Sequence, residues 1–289
     1  MVVARSGEEA GTDVAACISA SSSRHLDGVS NAQIPLLTYL SPADTIAHPG
    51  LRVVLVRGVP SPWSQAAKTI FELKHLPYVA APLDVAGANA EIAAWSGQNS
   101  APVVAWQDEP PINHWLDILL LAERLAPAPA LLPADPLHRA LAIGLGHEML
   151  GAHGIAWNRR LQMFAGAAAS GNAKRMAPLM GKYGLDAADA AAAGARIAAT
   201  LRALAAQLAA QEARGVPWFV GDGLSAVDIW WVTVANILAP LPAAQCPMRE
   251  ATRAGFTATD PLVVAALDPL LVEHRDRIFN AHFRDPMEY

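Results

Sequence analysis

Few groups in this sequence could do chemistry, and the leading one is a serine at the head of a helix. In Ser61-Pro62-Trp63-Ser64 a serine and a proline precede an apolar-periodic run, the pattern of an N-cap followed by proline at the first helical position. A hydroxyl donor at the positive end of a helix favours a nearby anion, so Ser61 either caps its helix or stabilises a negative charge. Ala101-Pro102 precedes a third apolar run. A proline at a strand entry is either an ordinary trans residue or a cis turn. Met149, His153 and Trp157 recur every four residues, which predicts one shared helix face. That face either touches a ligand or packs between domains. His147-Glu148 with His153 is a poor metal site, because its six-residue separation departs from the i, i+4 spacing that sets two ligands on one face. Arg159 and Arg160 can reach an anionic group or stay solvated near a helix end. Trp230-Trp231 reads as core.

These groups need elements to hold them. Leu51-Arg52-Val53-Val54-Leu55-Val56 is nearly continuous and β-branched, as in a strand buried on both faces. A helix over 63–75, a strand over 78–83, a helix over 89–95, a strand over 101–106, a short strand near Ile112 and a helix over 115–125 follow. Ala126-Pro127-Ala128-Pro129-Ala130 reads as a linker. Beyond it the pattern is helical, with helices predicted over 136–157, 187–214, 225–238 and 261–279. The predicted organisation is an N-terminal extension over 1–50, a folded unit over 51–127, a linker over 128–134 and an all-helical unit over 135–289. Residues 1–32 lack periodicity and read as flexible or draped on the surface, while 34–39 is an apolar patch that can pack onto the body.

Composition bounds the possibilities. The 289 residues suffice for two domains. With 21 Lys and Arg against 26 Asp and Glu the net charge is −5, which argues against a nucleic-acid-binding surface. Mean hydropathy is +0.24, yet no apolar run approaches the ~20 residues of a membrane span. Two cysteines, Cys17 and Cys246, suggest neither a disulfide framework nor a thiolate zinc site. Residues 14–18 are too short an apolar stretch for a signal peptide, so the expected location is cytoplasmic.

A β-α-β-α-β-β-α unit, a proline linker and a helical unit, in that order, resemble the glutathione S-transferase family over about residues 51–285. The implied fold is a thioredoxin-like α/β domain followed by an all-α domain. Ser61-Pro62-Trp63-Ser64 with Leu76-Pro77-Tyr78 is similar to the Ser-Pro-Phe-Ser and Gly-Leu-Pro-Tyr signature of serine-type members. The resemblance implies that Ser61 stabilises the thiolate of bound glutathione. It also implies that Ala101, before a cis Pro102, pairs its backbone with the cysteinyl part. Because serine stands where redox relatives carry cysteine, dithiol–disulfide exchange through this position is excluded. Gly221-Asp222-Gly223-Leu224-Ser225-Ala226-Val227-Asp228-Ile229 resembles the family's Gly-Asp-x-x-Ser-x-Ala-Asp-Ile segment, whose role is folding: Ser225 and Asp228 have capping-box spacing and Leu224 can staple onto Ile229.

One departure is informative. Members usually place Glu/Gln-Ser at the start of the helix after the hairpin, where they hold the γ-glutamyl end of glutathione. Here that position is Asn113-His114, or His114-Trp115 with a one-residue shift, and neither pair supplies a carboxylate. The implied site is Ser61 as the catalytic residue, with Ser61, Trp63, Ala101, Pro102, Asn113 and His114 binding glutathione. Met149, His153 and Trp157 then face a small, largely apolar electrophile. A homodimer is expected, with no metal, nucleic-acid or membrane partner. The alternative is a binding or assembly protein of the same fold that no longer uses glutathione, distinguished by its response to glutathione.

Overall fold

A computed structural model describes residues 37–289. The extension 1–32, residues 34–36 of the apolar patch, and Cys17 lie outside the described residues. The first elements are α1 (Pro42–Ala47), β1 (Leu51–Val56), α2 (Pro62–Leu73), β2 (Tyr78–Leu83), α3 (Ala90–Ser96), β3 (Val103–Trp106) and α4 (Trp115–Leu125). The sheet order is β2-β1-β3, with β1 parallel to β2 and antiparallel to β3. Alternation along β1 serves two layers. Val53 and Leu55 join the cluster that includes Ile70 and Phe71 of α2 and Leu119 of α4. Val54 and Val56 pack with Ile92 of α3 on the other face. The fourth strand expected near Ile112 is a single antiparallel bridge to Val104. Before the sheet, Tyr39 bridges Ala80 at the β2 edge.

The second half is α5 (Pro136–Leu150), α6 (Ile155–Ala169), α7 (Ala173–Tyr183), α8 (Ala187–Glu212), α9 (Ala226–Ala235), α10 (Glu250–Phe256), α11 (Pro261–Ala266) and α12 (Pro269–His282). Every residue of α9 is buried. This helix packs against α2, α5 and α12, so one core runs through both halves. Trp231 donates its indole N–H to the Leu271 carbonyl at 2.8 Å, as a core tryptophan should.

Two helices expected to be continuous are broken. The helix predicted over 136–157 stops at Leu150 and restarts at Ile155. A Cβ on Gly151 would lie 2.4 Å from His147 Nδ1, and one on Gly154 2.7 Å from the His147 carbonyl oxygen. The turn is therefore tight enough to require both glycines. The helix predicted over 261–279 breaks at Asp268-Pro269, where Asp268 accepts the Leu270 N–H and opens α12. Helices α1, α7 and α10 have no counterpart in the sequence reading. Among the described residues no helix is long and apolar enough to cross a membrane.

The carboxyl terminus folds back onto α2. Lys68, buried on α2, donates to the Glu288 carbonyl at 2.5 Å and Gln65 to the same oxygen at 3.0 Å. Arg284 pairs with Glu72 of α2 at 3.0 Å.

Candidate active site

The sheet topology gathers the proposed glutathione contacts along one edge. β1 ends at Val56, and residues 57–60 turn from there into Ser61 at the N-cap of α2. Ser64 Oγ accepts the Val56 N–H at 3.1 Å and closes that turn. β3 runs antiparallel with Val103 opposite Val54, so its entry, Ala101-Pro102, lies beside the same carboxyl end of β1. The Ala101-Pro102 bond is cis. The hairpin returns through Ile112, paired with Val104, and delivers Asn113 and His114 to that edge at the start of α4. Both are exposed, and His114 Nδ1 lies 4.0 Å from Asp117 Oδ2. The shifted pairing with Trp115 fails, because Trp115 is buried edge-on against Trp230 with ring centroids 4.9 Å apart.

Ser61 differs from the other serine and aspartate residues that precede a helix-opening proline. Ser41, Asp135, Asp260 and Asp268 each accept a backbone N–H of their own first turn. Ser61 stands at the same position with Pro62 behind it, and its hydroxyl makes no capping bond. It is half-buried.

No family model and no curated protein matches the chain. Solved structures do. A glutathione S-transferase from Methylobacterium radiotolerans, in complex with glutathione sulfonate, superposes with a TM-score of 0.58 at 20% identity, over 83% of this chain and 95% of that one. A rice glutathione S-transferase in complex with glutathione gives 0.51 at 21% identity, over 81% and 92%. One from Xanthobacter autotrophicus gives 0.51 at 19%, over 78% and 92%. The chain has the glutathione S-transferase fold.

In this glutathione S-transferase fold, the groups that meet Trp63, two residues after Ser61, come from the helical half. Trp63 donates its indole N–H to the Leu150 carbonyl at the end of α5, at 2.8 Å. Across its ring lies the Arg160 guanidinium of α6, 4.5 Å from the Trp63 centroid, 5.1 Å from Trp157 and 4.0 Å from Tyr183 of α7. Burial pulls the Arg160 pKa down, partly opposed by Tyr183. Burial raises the Tyr183 phenol, partly opposed by Arg160.

The helix face expected for Met149, His153 and Trp157 does not exist. Met149 is fully buried near the end of α5. His153 is exposed in the turn, at φ 60°, and Trp157 belongs to the next helix. Of the three, Trp157 alone lies beside the Arg160 cluster. Arg159 is not solvated: it donates to the Ile237, Gly255 and Thr257 carbonyls at 3.0, 2.7 and 2.9 Å. Arg160 was a candidate for an anionic group from its sequence, but its aromatic neighbours and the presence of Lys182 and Tyr183 were not legible, because the helix starting at Ile155 and α7 have no separate counterpart in the sequence pattern. The Trp157/Arg160 spacing of three residues was the available signal.

Elsewhere, burial pushes the Cys246 thiol up, against a smaller opposing hydrogen bond from Asn236, so Cys246 is no thiolate. A shallow groove of about 260 Å³ between the linker and the Gly221–Ser225 turn shares no lining residue with the Ser61 edge.

Proposed function

We propose that the protein is a glutathione transferase in which Ser61 activates the thiol and an electrophile is held against α6 and α7. One observation supports the reading: the Ser61 hydroxyl is at the N-cap of α2 and accepts no first-turn N–H, so no capping bond fixes its orientation and it can turn its O–H toward a ligand. Glutathione supplies the nucleophile, a thiolate. Ser61 Oγ–H donates to the sulfur, and the positive end of α2 adds potential of the same sense, which together lower the thiol pKa. Ala101, fixed beside Pro102, offers its backbone to the extended cysteinyl part. Asn113 and His114 bind the γ-glutamyl end at the positive start of α4. Trp157 and Tyr183 hold an apolar electrophile within attack distance, which converts the encounter into an oriented one.

The exposed Asn113 and His114, where a carboxylate would meet the γ-glutamyl amine, favour a second reading: a binding or assembly protein of this fold. Thermal unfolding in millimolar glutathione separates the two, since a ligand that binds only the folded state raises its stability by mass action. For the transferase, Ser61→Ala should lower turnover by about one to two orders of magnitude, the equivalent of one hydrogen bond to a charge at roughly 1.5–3 kcal/mol. Its melting should not change, because no cap is lost. Absence of both glutathione binding by calorimetry and thiol turnover across electrophile classes would overturn the proposal.

A further inference from the structure

Among the described residues, Arg160 and Lys182 are two cations with nothing negative bonded to either. Arg160 has aromatic neighbours on several sides, yet among the described residues it has no hydrogen bond and no ion pair. Its neighbour Arg159 is held by three carbonyls, so the fold can satisfy a guanidinium here when it needs to. Lys182 Nζ is buried without a hydrogen-bond partner, 5.1 Å from the ring of Tyr183 that Arg160 also covers. Two like charges thus share one aromatic ring. Burial and the Arg160 charge both pull the Lys182 pKa down, and Asp84, the acid facing it, opposes them. Asp84 is not within ion-pair distance, and its Oδ1 accepts the Ala86 N–H.

Aromatic faces attract cations but supply no hydrogen-bond acceptor in the plane of the guanidinium. An arginine with its N–H fork making no hydrogen bond among the described residues is suited to a planar, two-oxygen anion, and the Lys182 ammonium on the same Tyr183 ring offers a second donor. We propose that Arg160 and Lys182 together bind a carboxylate in a cleft where α6 and α7 meet Trp63 of α2. The inference takes from the proposed function only that ligands enter this cleft. Two sources fit the same chemistry: the glycyl carboxylate of glutathione, or a carboxylate carried by the second substrate.

Calorimetry on the full chain distinguishes them. The ligands are benzoate against benzamide, and glutathione against glutathione amidated at its glycyl end, each titrated into wild type, Arg160→Met and Lys182→Met. One of the two carboxylates should bind at least about tenfold tighter than its amide, the scale of one charge-assisted hydrogen bond. That preference should vanish in Arg160→Met and weaken in Lys182→Met. A benzoate preference assigns the subsite to the second substrate, and a glutathione preference assigns it to the glycyl end. The inference is overturned if neither carboxylate is preferred, or if the preference survives in both variants. Methionine keeps the apolar stem of Arg160 against the rings and loses only the cation, so Arg160→Met should melt slightly lower than wild type, by the loss of its cation–π contacts. A much larger drop in melting temperature with unchanged ligand preference would make Arg160 a structural tie and also overturn it. Glutathione bound with neither carboxylate preferred over its amide would sink this inference and leave the transferase reading standing. A benzoate preference without glutathione binding would do the reverse.

Discussion

Replacing Asp228 tests the structural logic of the helical half independently of any substrate. The carboxylate is fully buried and accepts four donors. Oδ2 takes the Ser225 N–H at 2.9 Å and its hydroxyl at 2.8 Å; Oδ1 takes the Phe219 N–H at 3.1 Å and His274 Nε2 at 2.9 Å. Arg277 donates to His274 Nδ1 at 2.7 Å, so the ring hydrogen is assigned to Nε2, facing Asp228. In Asp228→Ala the Ser225 hydroxyl can rotate away, but two backbone N–H groups and the imidazole N–H lose their acceptor. Each buried donor left unmade costs about 1–3 kcal/mol, and a water entering the vacated volume recovers part. The expected loss is about 3–5 kcal/mol, a large share of a typical domain's stability. That exceeds the single unmade cap bond implied by the sequence spacing alone. Asp228→Asn keeps one acceptor but turns an NH₂ toward existing donors, and should fall between. Urea unfolding gives the loss, and activity per folded molecule should stay near wild type. A loss below about 1 kcal/mol, or a stable but inactive Asp228→Ala, would refute this reasoning.

Other outcomes follow from the packing. Gly146→Ala should cost about 1–3 kcal/mol in urea unfolding by overpacking, because its Cβ would lie 2.4 Å from the Trp230 ring and 2.8 Å from that of Trp115; a gain from helix propensity would show that the rings yield. Deleting 284–289 strips Lys68 and Gln65 of the Glu288 carbonyl and Glu72 of Arg284. Stability should fall by about 3 kcal/mol, and Lys68→Met in the shortened chain should recover part; no recovery would mean the buried ammonium is not the source. In a Cys17→Ser background, native Cys246 should resist thiol reagents at neutral pH and react only on unfolding, since burial raises its pKa; rapid native labelling would contradict its burial.

Legibility followed the range of the interactions involved. β1, β2 and α4 begin and end where the sequence places them, because β-branched runs and an amphipathic stripe bounded by turn residues encode these elements locally. The Ser225/Asp228 capping box is likewise local, and it forms. The break after Leu150 was not legible as a break, since Gly151 and Gly154 matter through their clash with His147, which only the folded turn creates. Asp268-Pro269 carries a local signal, the same cap–proline pair that opens α2, and it opens α12. At the site, Ser61, Ala101 and Pro102 were read from motif and position. The fate of the Ser61 hydroxyl was not, because any serine there can cap. Arg160 gains its environment from Trp63, almost a hundred residues away in the chain, and no local pattern announces such a contact. The return of Glu288 to Lys68 is longer still.

The central claim is that Ser61 uses its hydroxyl to hold a thiolate. Ultraviolet difference spectroscopy of bound glutathione, titrated over pH in wild type and Ser61→Ala, addresses it without choosing an electrophile. Wild type should show thiolate absorbance at a pH where free glutathione is still a thiol. In Ser61→Ala that titration should move up by about one to two pH units, from the loss of a hydrogen bond of roughly 1.5–3 kcal/mol to the charged sulfur. Glutathione that binds both proteins and titrates at the same pH in each would contradict it.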